Sequence, residues 1–104
     1  MRFGILEDDW NVIRNIFEKS SKVEKLILFG SRAKGTHKNE SDIDLVVFGE
    51  QITYKDYLQL YLQLDDIGML HKIDLINFNT ITSKELQDHI KRVGIIIYKK
   101  PSNN

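Results

Sequence analysis

The chain has 104 residues, enough for one domain with a modest core, and 41% of them are hydrophobic. It has no cysteine, which excludes disulfides and thiolate metal sites and fits a reducing cytoplasm. The 15 basic and 15 acidic residues cancel, which argues against binding along an extended nucleic-acid backbone. No apolar run reaches the ~18 residues of a membrane span, and the opening residues turn acidic before a signal-peptide core develops. We therefore expect a cytoplasmic protein with a single domain over 1–98 and a frayed tail at 99–104.

The first half of the chain predicts a helix followed by two strands. Apolar residues recur at helical spacing from Leu6 to Phe17 and indicate the helix. Residues 23–29 are short, β-branched and apolar, which is typical of a strand. Residues 43–49 predict a second strand that is apolar on both faces, as a central strand is. The link between these strands holds at most a short helical turn, so we expect them to pair antiparallel.

The second half predicts two helices that alternate with two strands. Residues 54–68 fit a strand by the alternation of their leucines and a helix by their tyrosine and leucine spacing, and their length and composition favour the helix. Residues 72–78 predict a third strand. A T-x-x-E capping box at 82–85 opens a last helix that ends at Gly94, and 95–98 form a short final strand. Crossover helices imply parallel neighbours among the later strands. The expected fold is α/β (α+β), a small mixed sheet with helices packed on it.

Three aspartates fall on the predicted strands and form a candidate metal site. Asp42 and Asp44 point to the same face, because residues i and i+2 of a strand do so. Asp74 reaches the same place if the second and third strands are neighbours. Three carboxylates repel one another unless a cation lies between them, and oxygen ligands of this kind suit Mg²⁺ or Mn²⁺. The alternatives are a solvated strand edge for the D-x-D pair and an ion pair between Asp74 and Lys72.

A glycine-serine pair follows directly on the first strand and is a candidate phosphate site. Gly30 lets the backbone turn sharply, and Ser31 is expected to cap the short helical turn after it, leaving N–H groups free for an anion. The segment is not a Walker A loop, because Thr36 stands where lysine is required. Arg32 and Lys34 are candidates for phosphate contacts, with solvated loop cations as the alternative. An ordinary turn between two strands also explains the pair.

The two candidate sites together form a specific pattern. Gly30-Ser31, ten further residues and then Asp42-x-Asp44 occur by chance in a chain of this length about once in a thousand. This pattern resembles the signature of the DNA polymerase beta-like nucleotidyltransferases. The resemblance is closest to the minimal nucleotidyltransferase (MNT) group, whose members are about this long. Ser41, directly before the first aspartate, is also similar to the family and is grouped with its nucleotide-binding positions.

The resemblance implies a function and a set of roles. Asp42 and Asp44 would bind two Mg²⁺ ions, Asp74 would be the third ligand and help activate the acceptor hydroxyl, and Gly30 and Ser31 would hold the phosphates of ATP. MNT proteins are typically paired with a HEPN-domain protein, in many cases a toxin on which they transfer AMP to a tyrosine. We therefore expect a Mg²⁺-dependent nucleotidyltransferase that acts as an antitoxin in a hetero-oligomer.

Two other functions stay open from the sequence. The chain could neutralise its partner by contact alone, with the catalytic site unused. It could also modify a small molecule such as an antibiotic, although nothing in the chain predicts an acceptor-binding domain. Tyr54, Tyr57 and Tyr61 lie on one predicted helix and are candidates for a protein interface, and packing of that helix on the sheet is the alternative.

Overall fold

The computed structural model describes residues 1–101, which contain four α-helices, four strands and a single 3₁₀ turn. The helices are α1 (Glu7–Glu18), α2 (Gly30–Lys34), α3 (Tyr54–Asp66) and α4 (Lys84–Val93). The strands are β1 (Lys25–Phe29), β2 (Ile43–Phe48), β3 (Ile73–Asn77) and β4 (Ile95–Lys99), and the 3₁₀ turn is Phe78–Thr80. The predicted element types are confirmed, including a helix where the tyrosines and leucines were ambiguous. In this part of the chain no helix is long and apolar enough to cross a membrane.

The strands form one mixed sheet in the order β3-β2-β1-β4. β1 and β2 are antiparallel and β2 and β3 are parallel, as predicted. The expectation that the later strands are all parallel neighbours is wrong for β4, which pairs antiparallel with β1. After β3 the chain passes through α4 to the far edge of the sheet, where β4 pairs with β1.

The sheet buries its two faces unequally. Side chains alternate along β2, and Leu45 and Val47 join the large core that α1 and α3 cover, whereas Val46 and Phe48 join a smaller cluster with Ile90 of α4. Asp44 shares the strand face of Val46. The carboxylates therefore lie on the less covered side of the sheet, at the end of β2 away from Phe48.

The start of the last helix differs from the sequence prediction. The capping box predicted at 82–85 is wrong, because Ser83 is the N-cap of α4 and its hydroxyl accepts from the Leu86 amide at 3.2 Å. Serine and threonine cap equally well, so the local sequence does not choose between adjacent ones. A capping box forms at α3 instead, where the side chains of Thr53 and Asp56 each accept a hydrogen bond from the other residue's amide.

The ordered chain continues beyond the predicted domain boundary. β4 extends to Lys99, and the Lys100 amide donates to the Glu24 carbonyl at 2.8 Å. The Lys100 Nζ atom donates to the Ser21 carbonyl at 2.9 Å. The tail expected at 99–104 is thus paired at its start, and residues 102–104 lie outside the described residues.

Candidate active site

The register between β2 and β3 places two of the predicted carboxylates side by side. Asp44 is the direct partner of Asp74 in the parallel ladder, and neighbours in register point to the same face. Asp42 lies two residues before Asp44, where the Ile43 amide already bonds to the Lys72 carbonyl at the start of the ladder. The structure therefore brings all three aspartates to the entrance of two adjacent strands.

The electrostatics of Asp44 follow from this proximity. Burial raises the pKa of the Asp44 carboxyl above its usual value of 3.8, and the negative charges of Asp74 and Asp42 raise it further. The Arg32 guanidinium opposes them and lowers the pKa. Asp44 thus lies among like charges, with its ionised form disfavoured unless another cation joins the site.

Asp74 has a second partner, which the sequence left open as the alternative. Its Oδ1 lies 3.6 Å from the Lys72 Nζ, and both side chains are well exposed. Within residues 1–101 no three acidic or histidine side chains are gathered closely enough to hold a metal ion as they stand. The donor set nevertheless suits Mg²⁺ or Mn²⁺, because it consists of carboxylate oxygens on one face of two strands.

Gly30, the first residue of α2 and the residue directly after β1, contacts one of the carboxylates. It has a φ of 74°, a conformation that favours glycine, and a Cβ added there would clash with the Oδ2 of Asp44. The Asp44 carboxylate therefore lies directly over the Gly30 backbone. Only a residue without a side chain permits this approach.

Ser31 lies within α2, and its predicted capping role is wrong. α2 begins at Gly30, its N-cap is Phe29, and no side chain caps it. Ser31 instead accepts at its carbonyl oxygen from the Thr36 amide at 3.0 Å, which closes the end of the short helix. The first-turn amides of α2 have no side-chain cap.

Arg32 is placed differently from the sequence expectation. Only 1% of its surface is exposed, and its guanidinium donates to the carbonyl oxygens of Phe3 at 2.8 Å, Ser41 at 2.7 Å and Asn39 at 3.3 Å. A phosphate contact would require Arg32 to give up these bonds, so this geometry favours a structural role over the expected role in holding nucleotide.

Ser41 takes part in a hydrogen bond within a loop, whereas Lys34 is exposed. The Ser41 hydroxyl accepts from the Lys38 amide at 2.8 Å, so this serine organises the loop before β2. Lys34 lies in the last turn of α2 and is exposed, as a solvated loop cation or a phosphate contact would be.

One histidine beside the site joins two of its loops. The His71 Nε2 lies 2.7 Å from the Asn39 carbonyl oxygen, which joins the loop before β3 to the loop before β2. The contact links residues 32 positions apart, so no local pattern could have indicated it. These loops border a cavity of about 470 Å³ lined by Asn39, Glu40, Asp42, Leu70, His71 and Lys72.

Comparison with known proteins is consistent with this geometry. Residues 11–103 match the polymerase beta nucleotidyltransferase family. A Methanocaldococcus jannaschii protein assigned as a protein adenylyltransferase is 35% identical over 81 residues, which cover 75% of this chain and 80% of the relative. MntA of Haemophilus influenzae, with the same assignment, is 26% identical over 95% of this chain and 87% of its own length.

Solved structures share the fold. A toxin–antitoxin structure with AMP-PNP has a TM-score of 0.71 at 22% identity, covering 88% of this chain and 73% of that one. A tri-AMPylated Shewanella oneidensis HEPN toxin in complex with an MNT antitoxin has a TM-score of 0.66 at 19% identity, covering 90% of this chain and 72% of that one.

The chain therefore belongs to the polymerase beta nucleotidyltransferase family. Within that family, the proteins to which it is similar include MntA of Haemophilus influenzae, and its fold is shared by an MNT antitoxin.

Proposed function

We propose that this chain transfers AMP from ATP to a tyrosine hydroxyl of a HEPN-domain partner and thereby acts as an antitoxin. The observation that carries the proposal is the register of Asp44 opposite Asp74, with Asp42 beside them and Gly30 directly beneath the carboxylate. Relatives assigned as protein adenylyltransferases support the reaction, and the fold neighbour in complex with a tri-AMPylated HEPN toxin supports the partner.

The reaction is a phosphoryl displacement. The acceptor oxygen forms a bond to the α-phosphorus of ATP, the bond from that phosphorus to the bridging β-phosphate oxygen breaks, and pyrophosphate leaves. Asp74, whose side chain is 42% exposed, is the base that takes the hydroxyl proton. The uncapped amides at Gly30 and Ser31 donate to phosphate oxygens, and Lys34 adds a cation nearby.

The proposed cofactor is a pair of Mg²⁺ ions, with Mn²⁺ as a substitute. Asp42, Asp44 and Asp74 would hold them, and bound there they would neutralise the charge that the transferring phosphate develops. The raised pKa of Asp44 supports this assignment, because a cation removes the repulsion that raises it.

α3 is the proposed contact surface for the partner. Its inner side chains are buried, but Tyr54 is 75% exposed and Leu62 is 55% exposed, and Leu58 and Tyr61 are each 38% exposed. Tyr57 is committed to the sheet, since its hydroxyl donates to the Leu75 carbonyl at 2.6 Å. Exposed tyrosine and leucine on one helix favour a protein partner.

Co-expression with a HEPN-domain protein tests the proposal. Intact-mass spectrometry of the partner should detect added AMP units with the wild-type chain and with Asp88→Asn, an exposed carboxylate on α4 that serves as control. The double variant Asp42→Asn with Asp44→Asn should add none, because the metal ligands are gone. Undiminished transfer by that double variant contradicts the assigned mechanism.

Neutralisation by contact alone is the second candidate, and the exposed α3 face together with the Asp74–Lys72 ion pair favours it. Cell growth in the presence of the partner separates the two functions. Protection by the double aspartate variant, with the partner unmodified, would support contact over catalysis.

A further inference from the structure

The guanidinium of Arg32 joins two segments that are distant in sequence. Its Nη1 donates to the Phe3 carbonyl at 2.8 Å, and its Nη2 donates to the Ser41 carbonyl at 2.7 Å. The Nε atom adds a second bond to Ser41, and Nη2 also reaches Asn39, both at 3.3 Å. Every nitrogen of the guanidinium is therefore occupied by backbone carbonyl oxygens.

Two of these acceptors, Asn39 and Ser41, lie in the loop that leads into the candidate active site. Ser41 immediately precedes Asp42, and its carbonyl is the last one before the proposed metal ligands. We propose that Arg32 is a positioning residue, which ties the turn at 2–5 to the loop at 36–42 and so sets the direction in which Asp42 and Asp44 point. The role in catalysis rests on the proposed function, whereas the tie between the two segments does not.

The turn at 2–5 is shaped to fit against Arg32. Arg2 and Ile5 exchange two backbone hydrogen bonds of 2.9 Å, and Phe3 and Gly4 both have positive φ, 56° and 77°. The turn is held from the other side by the Trp10 indole, which donates to the Arg2 carbonyl at 2.9 Å. It lies outside the residues that match the family, so the match assigns it no role.

Gly4 provides a way to test the contact without changing Arg32. A Cβ at Gly4 would lie 2.7 Å from the Arg32 Nη1 and 2.7 Å from the His37 Nε2. Both neighbours would have to move, and the positive φ adds strain to any other residue there. Gly4→Ala should therefore loosen the tie while leaving the guanidinium intact.

The loop at 36–42 has further hydrogen bonds that hold its conformation. The Lys38 amide bonds to the Ser41 hydroxyl at 2.8 Å, and His71 contacts the Asn39 carbonyl from the β3 side. Loss of Arg32 would leave partly buried carbonyl oxygens without their charged donor, which is costly. The loop and Asp42 would then sample other positions.

Hydrogen exchange measured by mass spectrometry tests the tie directly. The first variant, Arg32→Lys, keeps the positive charge but loses the forked guanidinium, and the second is Gly4→Ala. Arg92→Lys, at an exposed position on α4, is the matched control. We expect exchange at 36–44 to accelerate about tenfold or more in both variants, with α3 unchanged and the control like wild type. Unchanged exchange at 36–44, or equal acceleration throughout the protein, overturns the proposal.

Steady-state kinetics with the HEPN partner as acceptor test the catalytic consequence. Misplaced carboxylates should lower kcat about tenfold to a hundredfold with little change in the KM for ATP. A raised KM for ATP with unchanged kcat and unchanged exchange would instead assign Arg32 to the nucleotide and overturn the positioning role. If wild-type protein transfers no AMP, the proposed function fails, and the exchange experiment alone decides whether Arg32 ties the segments.

Discussion

Asp44 interacts with most of the other residues of the candidate site. It lies over Gly30 and is the register partner of Asp74 in the neighbouring strand. Burial raises the pKa of its carboxyl, and the negative charges of Asp74 and Asp42 raise it further. A carboxylate whose pKa is raised on folding is less stable ionised in the fold than in the unfolded chain. At neutral pH the ionised Asp44 therefore lowers the stability of the fold, and a bound cation would remove this cost.

Replacement of Asp44 by asparagine should separate stability from activity. In metal-free buffer at pH 7, Asp44→Asn should have a higher free energy of unfolding than wild type, while AMP transfer falls about a hundredfold or more. Because the folded pKa is raised above 3.8, the stability difference should be small below pH 3.8 and grow as pH rises through the folded pKa. Urea unfolding with EDTA measures it, with Asp88→Asn as control. A less stable Asp44→Asn protein at neutral pH would contradict this reading.

Gly30 can be tested against a matched glycine. Gly30 and Gly35 have φ of 74° and 79°, but only at Gly30 would a Cβ clash with Asp44, since nothing lies within 4 Å of a Cβ at Gly35. Both alanine variants should lose about 1–2 kcal/mol from the left-handed conformation. Gly30→Ala should lose more and should also lose AMP transfer. Thermal unfolding and AMP-transfer assays compare the two variants. Equal stability and equal transfer would contradict a role for the contact between Gly30 and Asp44.

At the scale of elements, α3 has two different sides. Leu60 and Leu64 are buried against the sheet, and Tyr57 both packs and bonds to the edge strand β3. Tyr54 and Leu62 face outward. The two alternatives that the sequence left open, packing on the sheet and a protein interface, are thus compatible, because they use different sides of α3.

A charge placed on the outer side of α3 tests it as the contact surface. Leu62→Lys should weaken binding of the HEPN partner about tenfold or more, because the lysine would be desolvated in an apolar interface. The unfolding midpoint should change little, since Leu62 is 55% exposed. Leu86→Lys, at a 38% exposed position on α4, is the control for a surface leucine. Titration calorimetry measures both, and equal affinities would place the interface elsewhere.

At the scale of the molecule, the site depends on three elements of one sheet. β1 leads into α2 and Gly30, the central strand β2 carries Asp44, and the edge strand β3 brings Asp74 beside it. The core on the α1 and α3 side holds these strands, and the opposite side remains open near the carboxylates. Metal binding should therefore act on the stability of the whole fold.

Magnesium should stabilise the protein by binding the folded state alone. At a concentration a hundred times its dissociation constant, Mg²⁺ should add about 2.7 kcal/mol to the free energy of unfolding, and EDTA should remove this gain. The Asp42→Asn and Asp44→Asn double variant should show no such response. Thermal unfolding across a Mg²⁺ titration, with NaCl at equal ionic strength as control, measures it. An equal gain in the double variant would place the metal at another position.

The local sequence determined the elements and half of the site. Hydrophobic periodicity specifies helix or strand within a few residues, and the spacing of Asp42 and Asp44 puts both on one strand face whatever surrounds them. The short link after β1 likewise forces an antiparallel pair. These features depend on backbone geometry alone, so they needed no knowledge of the neighbouring elements.

Only the tertiary structure decided how distant segments meet. The position of β4 beside β1, the register of Asp74 opposite Asp44 and the burial of Arg32 against Phe3 all join residues 25 or more positions apart. Such contacts are set by packing over the whole core, and a local pattern cannot distinguish an arginine that holds phosphate from one that holds the backbone. The sequence therefore indicated the chemistry of this protein, whereas its folded packing decided which side chains are free to perform it.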